Sequence, residues 1–248
     1  MNRDLYKRPF TVDDPPDYNC PKCNIGLLRI KENSFEEFAE LDAKEMQNKH
    51  ELDPDWIDYI FHCIFECNNH KCASKVVCTG RGNVDFDIDV DEFGSQLQYW
   101  YSDYRPLFFH PNLKLIAIPE DTPADIEKLL NQSFELFFTS PSAAANLVRI
   151  AIEGILTDQG VEEMRNLHRR IEKLPEKHES LKTKFFALKW LGNAGSHSDN
   201  ELSLDDTMDA YEMVEYVLSK VYYSAPDNLD KLAKEINDLK GPKKRVFL

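Results

Sequence analysis

The sequence has no apolar run approaching the roughly 20 residues that a membrane-spanning helix needs. Its first ten residues, Met1 to Phe10, carry Arg3, Lys7 and Arg8 but no apolar signal core. It contains no internal repeat and no low-complexity tract. A cytoplasmic protein with no membrane association is the expectation. Positive charge is scarce: 30 Lys and Arg face 44 Asp and Glu, giving a net charge of −14 over 248 residues. Such a surface repels duplex nucleic acid and excludes broad affinity for it. Cysteine is sparse too. In a reducing compartment the six present are expected as metal ligands or free thiols, not disulfides.

The length allows one large domain or two smaller ones, and 42% hydrophobic with 30% charged residues fits a globular chain. The patterning divides near residue 121. Residues 1–121 read as a zinc-ribbon-like, antiparallel β region with one inserted helix, and 122–248 as an all-α bundle. The expected class is therefore α+β.

In the first part, Cys20-Pro-Lys-Cys23 opens a strand at Ile25 to Ile30, and Cys67-Asn-Asn-His-Lys-Cys72 closes another at Tyr59 to Cys67. Two such knuckles can offer four thiolates to one metal. Cys20, Cys23, Cys67 and Cys72 are therefore the expected ligands of a structural Zn2+. Four protein ligands leave no position open for water, which excludes a hydrolytic zinc. His70 is an alternative ligand, and four unbound thiols are the plainer reading. Cys63 and Cys78 fit small buried hydrophobes. Between the knuckles, Ser34 followed by Glu37 resembles a capping box and predicts a helix to about His50. Lys75–Cys78 and Val84–Val90 read as strands separated by a turn at Thr79-Gly-Arg-Gly82. Asp85, Asp87, Asp89 and Asp91 fall on one face of the second strand, about 7 Å apart and without a gathering glycine. A solvated face fits them better than a calcium site. Gln96–Tyr104, Arg105–His110 and Leu113–Ile118 complete the strands, with Pro111-Asn112 as a turn. Trp100, Tyr101, Tyr104, Phe108 and Phe109 are expected in the core rather than as base-stacking platforms.

From Thr122 the period changes to 3.6. Thr122-Pro123 and Ser140-Pro141 each start a helix. Ala144, Leu147, Val148, Ala151, Ile152, Ile155 and Leu156 form a stripe that must be buried. Further helices are expected over Val161–Leu174, Glu176–Leu191, from Ser203 with its Asp206 cap to about Tyr223, and Pro226–Lys240. Arg165 to Lys189 holds eight cations against three anions, a local excess suited to steering a polyanion. This segment leads into Leu191-Gly-Asn-Ala-Gly-Ser-His197. The structural account places Gly192 in a left-handed cap after Leu191. The chemical account adds Arg149 and Glu153, one turn apart on the preceding core helix, to Asn193 and His197 as groups able to engage a phosphodiester.

Arg149-Ile-Ala-Ile-Glu153, Arg170-Ile171 and Leu191-to-His197, together with the two cysteine knuckles, resemble a bacterial family of unknown function. Members of that family occur alone, after zinc knuckles, or attached to restriction-enzyme subunits. It is similar to a branch of the HEPN superfamily of helical bundles, common in toxin–antitoxin and restriction systems. The resemblance implies a homodimer through the bundle and RNA or a defence-system protein as partner. Many HEPN proteins are metal-independent ribonucleases with an arginine, a polar residue, three more residues and a histidine. Asn193 and His197 match the last two sites. Gly192 stands where the arginine belongs, and losing one such charge-stabilising donor costs on the order of 10² to 10³ in rate. A non-catalytic interaction module is the expectation. The alternative is a ribonuclease using His197, with Arg149 in place of the missing arginine.

Overall fold

The computed structural model describes residues 2–39, 57–90, 94, 96–195, 201–222 and 227–241. An N-terminal curled antiparallel sheet is followed by a helical region. A short helix, α1 (Asp4–Lys7), precedes strands β1 (Leu28–Ile30), β2 (Glu36–Ala39), β3 (Asp58–Cys67), β4 (Lys75–Val90) and β5 (Gln96–His110). The order across the sheet is β1-β3-β4-β5, with β2 pairing the same strand β3 further along. Phe10 exchanges two backbone hydrogen bonds with Tyr104.

Alternation decides what the sheet covers. Phe61, Cys63 and Phe65 on β3, Val76 and Cys78 on β4, and Tyr104 and Phe109 on β5 point to one side and are buried. Phe10 and Tyr18 fill the space against them, with ring centroids 5.8 Å from Phe61 and 5.3 Å from Phe109 respectively. Each such ring contributes on the order of 1.5–3 kcal/mol by leaving water. The outer half of the β4–β5 pair, Asp85–Val90 with Gln96–Trp100, is exposed on both faces.

The helices are α2 (Ala124–Leu136), α3 (Pro141–Asp158), α4 (Leu167–Glu172), α5 (Lys182–Ala194), α6 (Leu204–Val221) and α7 (Asp227–Leu239), with a 3-10 turn at Glu176–Leu181. The stripe on α3 is buried as its spacing requires, although Leu147 is only half-buried. Ser203 accepts from the Asp206 backbone N–H while Asp206 accepts from that of Ser203, a complete capping box. Inside, the Ser133 hydroxyl bridges the Ala144 carbonyl and the Tyr211 hydroxyl, each at 2.8 Å. Sheet and helices meet through Tyr6, Phe109, Phe137 and Phe138. The Arg3 guanidinium adds ion pairs to Asp209 at 2.5 Å and Glu212 at 2.8 Å on α6. Among the described residues no helix is long and apolar enough to cross a membrane.

Several local expectations are corrected. Ser34 does not cap a helix. Its hydroxyl donates to the Lys31 and Ile64 carbonyls and accepts from the Ile64 N–H, and Glu36–Ala39 pairs with β3. The rest of that predicted helix, 40–50, lies outside the described residues. No turn separates Lys75–Cys78 from Val84–Val90. β4 runs through with a bulge at Thr79/Gly80, because a Cβ on Gly80 would sit 2.1 Å from the Arg105 carbonyl oxygen and 2.7 Å from the Phe61 ring. Gln96–His110 is one strand, not two. Leu113–Ile118 is not a strand. It crosses to the helices, where its Ala117 N–H donates to Glu215 at 2.7 Å. Phe108 and Trp100 are 43% and 41% exposed, so the core reading holds for Tyr104 and Phe109 but not for these two. In Val161–Leu174 only α4 is helical, and Glu176–Leu181 forms the 3-10 turn before α5. The Thr122 hydroxyl is buried and makes no capping bond, and α2 starts after Pro123.

Candidate metal centre and the Gly192 crossing

The register of β1 against β3 sets Leu28 opposite Cys67, which brings the two knuckles together. In the first, the Asn24 N–H bonds the Cys20 carbonyl at 2.9 Å while Asn24 takes a left-handed φ of 52°. In the second, the Cys72 and Ala73 N–H groups both bond the Asn69 carbonyl, and Ala73 has φ 44°. The Asn68 side chain ties one knuckle to the other by accepting from the Leu27 N–H at 2.9 Å.

The sulfurs of Cys20, Cys23, Cys67 and Cys72 all lie within 4.8 Å of one another. Cys20 and Cys72 are 3.8 Å apart, and Cys23 and Cys67 are 3.7 Å apart. A tetrahedron built on metal–sulfur bonds of about 2.3 Å has edges of about 3.8 Å, so these two edges match a four-thiolate metal site. All four cysteines are free thiols rather than disulfides. The N–H groups of Gly26 and Ile25 hold the Cys23 thiol down, to about 6, so it is ready to enter as thiolate. Burial pushes Cys67 up to about 12, a cost that a bound cation would reverse. His70 is exposed and outside the sulfur cluster. Cys63 and Cys78 face each other across β3 and β4, fully buried, and burial raises the Cys78 thiol first, with Cys63 adding to it. The acidic face of Asp85, Asp87 and Asp89 is solvent-exposed, and Asp91 lies outside the described residues.

The second group of expected residues is brought together only in part. Arg149 lies on α3 and Asn193 on α5. His197 lies outside the described residues. Gly192 is helical and buried, one residue inside the last turn of α5, and is not a left-handed cap. It marks the crossing with α3, where a Cβ at 192 would stand 2.3 Å from the Arg149 Cβ and 2.9 Å from its Cδ. Gly195 makes a similar approach to Ser142, with a virtual Cβ 2.4 Å from that carbonyl oxygen, and the Leu202 N–H bonds the Ser142 hydroxyl at 2.9 Å. Both described flanks of the His197 loop therefore return to the start of α3. The Arg149 guanidinium is engaged: it donates to Glu153 at 2.5 Å and to Asn146 at 3.3 Å.

The local excess of cations is smaller at the surface than in the sequence, since Arg170 is only 4% exposed. Three aromatic–cation pairs on two rings are not evident from the sequence patterning. Trp190 is 59% exposed with the Lys189 ammonium 3.7 Å from its ring centroid, and Tyr216 lies under Lys184 and Lys220. The signal was Trp190 beside Lys189 on the polar side of an amphipathic helix, away from the Phe185, Leu188 and Gly192 stripe.

Residues 8–109 match a family described as Domain of unknown function (DUF8608), and residues 131–239 match one described as Domain of unknown function (DUF4145). The first match spans the cysteine knuckles, the first four strands and β5 as far as Phe109. The second spans Arg149, Gly192 and Asn193. No curated protein and no solved structure matches the chain.

Proposed function

We propose that the chain is a zinc-stabilised, HEPN-like interaction module of a bacterial defence or restriction-type system. It acts in the cytoplasm without catalysis. Residues 1–121 form a zinc-held β domain, and 122–248 a helical bundle that pairs with a second copy and binds RNA or a protein of that system. Zn2+ is the metal that the donor set suits best, four thiolates at tetrahedral spacing with no open position.

The observation that carries the non-catalytic reading is the Gly192 crossing. A motif arginine at this position would have to pass through the Arg149 side chain, at 2.3 Å. Arg149 itself spends its charge on Glu153. A guanidinium already paired with a carboxylate offers little stabilisation to a developing phosphate charge. The exposed Trp190 and Tyr216 rings, with one and two lysines beside them respectively, favour RNA among the partners, because base stacking and ammonium groups together hold single strands.

The ribonuclease reading has one observation in its favour: Arg149 packs on the turn of α5 that carries Asn193, so a substitute arginine is near the motif. A cleavage assay decides between them. The purified protein, freed of contaminating nucleases, is incubated with single-stranded RNA in the presence of EDTA. The interaction-module reading expects intact RNA, retained by the wild type. Cleavage that disappears in His197→Ala would replace this reading with the ribonuclease.

A further inference from the structure

A cleft of about 560 Å³ opens beside α3, bounded by α2 and by the segment that leads into α4. Arg170 lines it and is almost wholly buried. Its Nη2 donates to the Thr157 hydroxyl at 2.5 Å and to the Val161 carbonyl at 3.2 Å, both neutral acceptors, and its Nε is buried without a partner. A guanidinium keeps its charge at any physiological pH. Burying that charge without a counter-ion is costly. The C-terminal end of α3 offsets part of it, since the helix dipole places about half a negative charge there. Among the described residues no carboxylate forms an ion pair with it.

The other walls say what kind of counter-ion fits. Arg165 adds a second, exposed guanidinium. Glu153 and Glu163 also line the cleft, but Glu153 is held by Arg149. Two cations against one uncommitted carboxylate leave room for one negative charge. A phosphate dianion or a nucleic-acid strand brings more negative charge than that single excess, and the unpaired Glu163 opposes it. Leu129, Ile150 and Met164 supply an apolar wall for an organic body. The cleft is shallow and open to solvent on one side, with a volume that suits a small ligand.

We propose that this cleft binds a small organic monocarboxylate, received by the exposed Arg165 guanidinium and by the Arg170 Nη1 group, with its apolar body against Ile150 and Met164. The planar fork of Arg165 matches two carboxylate oxygens in two parallel bonds, which is the recognition that lysine cannot copy. The proposal is independent of the RNA reading and of the metal.

Isothermal titration calorimetry of the full chain tests it, with phenylacetate, isovalerate, acetate and inorganic phosphate as probes. One-to-one saturable binding of phenylacetate or isovalerate is expected, weaker binding of acetate, and none of phosphate. Arg165→Ala and Arg170→Lys should each weaken the bound carboxylate by about tenfold or more. Arg165 is exposed, so Arg165→Ala keeps the test valid if Arg170→Lys does not fold. Absence of saturable carboxylate binding, phosphate binding of equal strength, or affinity unchanged in Arg165→Ala would each overturn the proposal.

Discussion

Replacing Gly192 by alanine adds one methyl group at the tightest point of the helical region. The new Cβ would stand 2.3 Å from the Arg149 Cβ, 2.9 Å from its Cδ and 3.0 Å from its Cγ. A flexible side-chain tip could swing away, but a Cβ is fixed to its backbone, so α3 and α5 must separate. Overpacking of this kind costs about 1–3 kcal/mol, and this contact belongs at the upper end. Alanine returns about 1 kcal/mol of helix propensity. A net loss of about 2 kcal/mol follows, or about 4–8 °C in melting temperature for a chain of this length. Gly154→Ala is the control on α3, where the virtual Cβ is 3.1 Å from the Ile126 Cγ1 and only that side chain must yield. It should be neutral or slightly stabilising. Gly192→Asn separates the two accounts of this glycine. Asparagine tolerates a left-handed cap but is larger than alanine at a helix crossing. Melting followed by circular dichroism should rank wild type above Gly192→Ala, with Gly192→Asn no better than alanine. A Gly192→Ala protein as stable as wild type, or one rescued by asparagine, refutes the crossing.

Three other outcomes follow from the same geometry. Metal analysis should find one Zn2+ per chain, and Cys20→Ser or prolonged chelation should melt the sheet region well before the helices, since a structural zinc supplies on the order of 10 kcal/mol; identical unfolding with and without metal rejects the site. Glu153→Gln removes the ionic partner of Arg149 while changing stability by less than about 0.5 kcal/mol, as expected for a surface pair one helical turn apart. RNA should stay intact in that variant, and new cleavage would show that ion pairing was all that silenced Arg149. Finally, hydrogen bonds from Ser203 and Arg3 lower the pKa of Asp206 and Glu212 respectively. Their stabilisation is present above the unfolded values of 3.8 and 4.5 and is lost as pH falls through the lower folded values. Acid titration of Asp206→Ala should therefore start about 1 kcal/mol less stable at neutral pH and lose less on acidification; an unchanged acid limb contradicts the capping box as its source.

What could be read from the sequence was local. The Cys-x2-Cys spacing, the Ser203–Asp206 cap and the α3 stripe are each decided within a few residues of chain. Ser34–Glu37 has a helix-start pattern, yet pairing with β3, some 25 residues on, takes the same hydroxyl for the sheet. Gly80 read as a turn because its reason for being glycine, the Arg105 carbonyl and the Phe61 ring, lies on two other strands. Arg170 counted as a surface cation until its contacts with Thr157 and Val161 placed it inside. Gly192 suited a helix cap equally well on paper, and only the position of α3 distinguishes the two roles.

The Gly192 contact also constrains how such a chain can change over generations. At the crossing the two helices share one slot for a side chain, and Arg149 occupies it. Shortening the side chain at 149 would not open it for a residue at 192, since the tightest contact is with the Arg149 Cβ, which any residue but glycine keeps. Any side chain at 192 therefore asks the two helix backbones themselves to move apart. Glycine at 192 is thus fixed by the path of the neighbouring backbone and not by the identity of the side chain it faces.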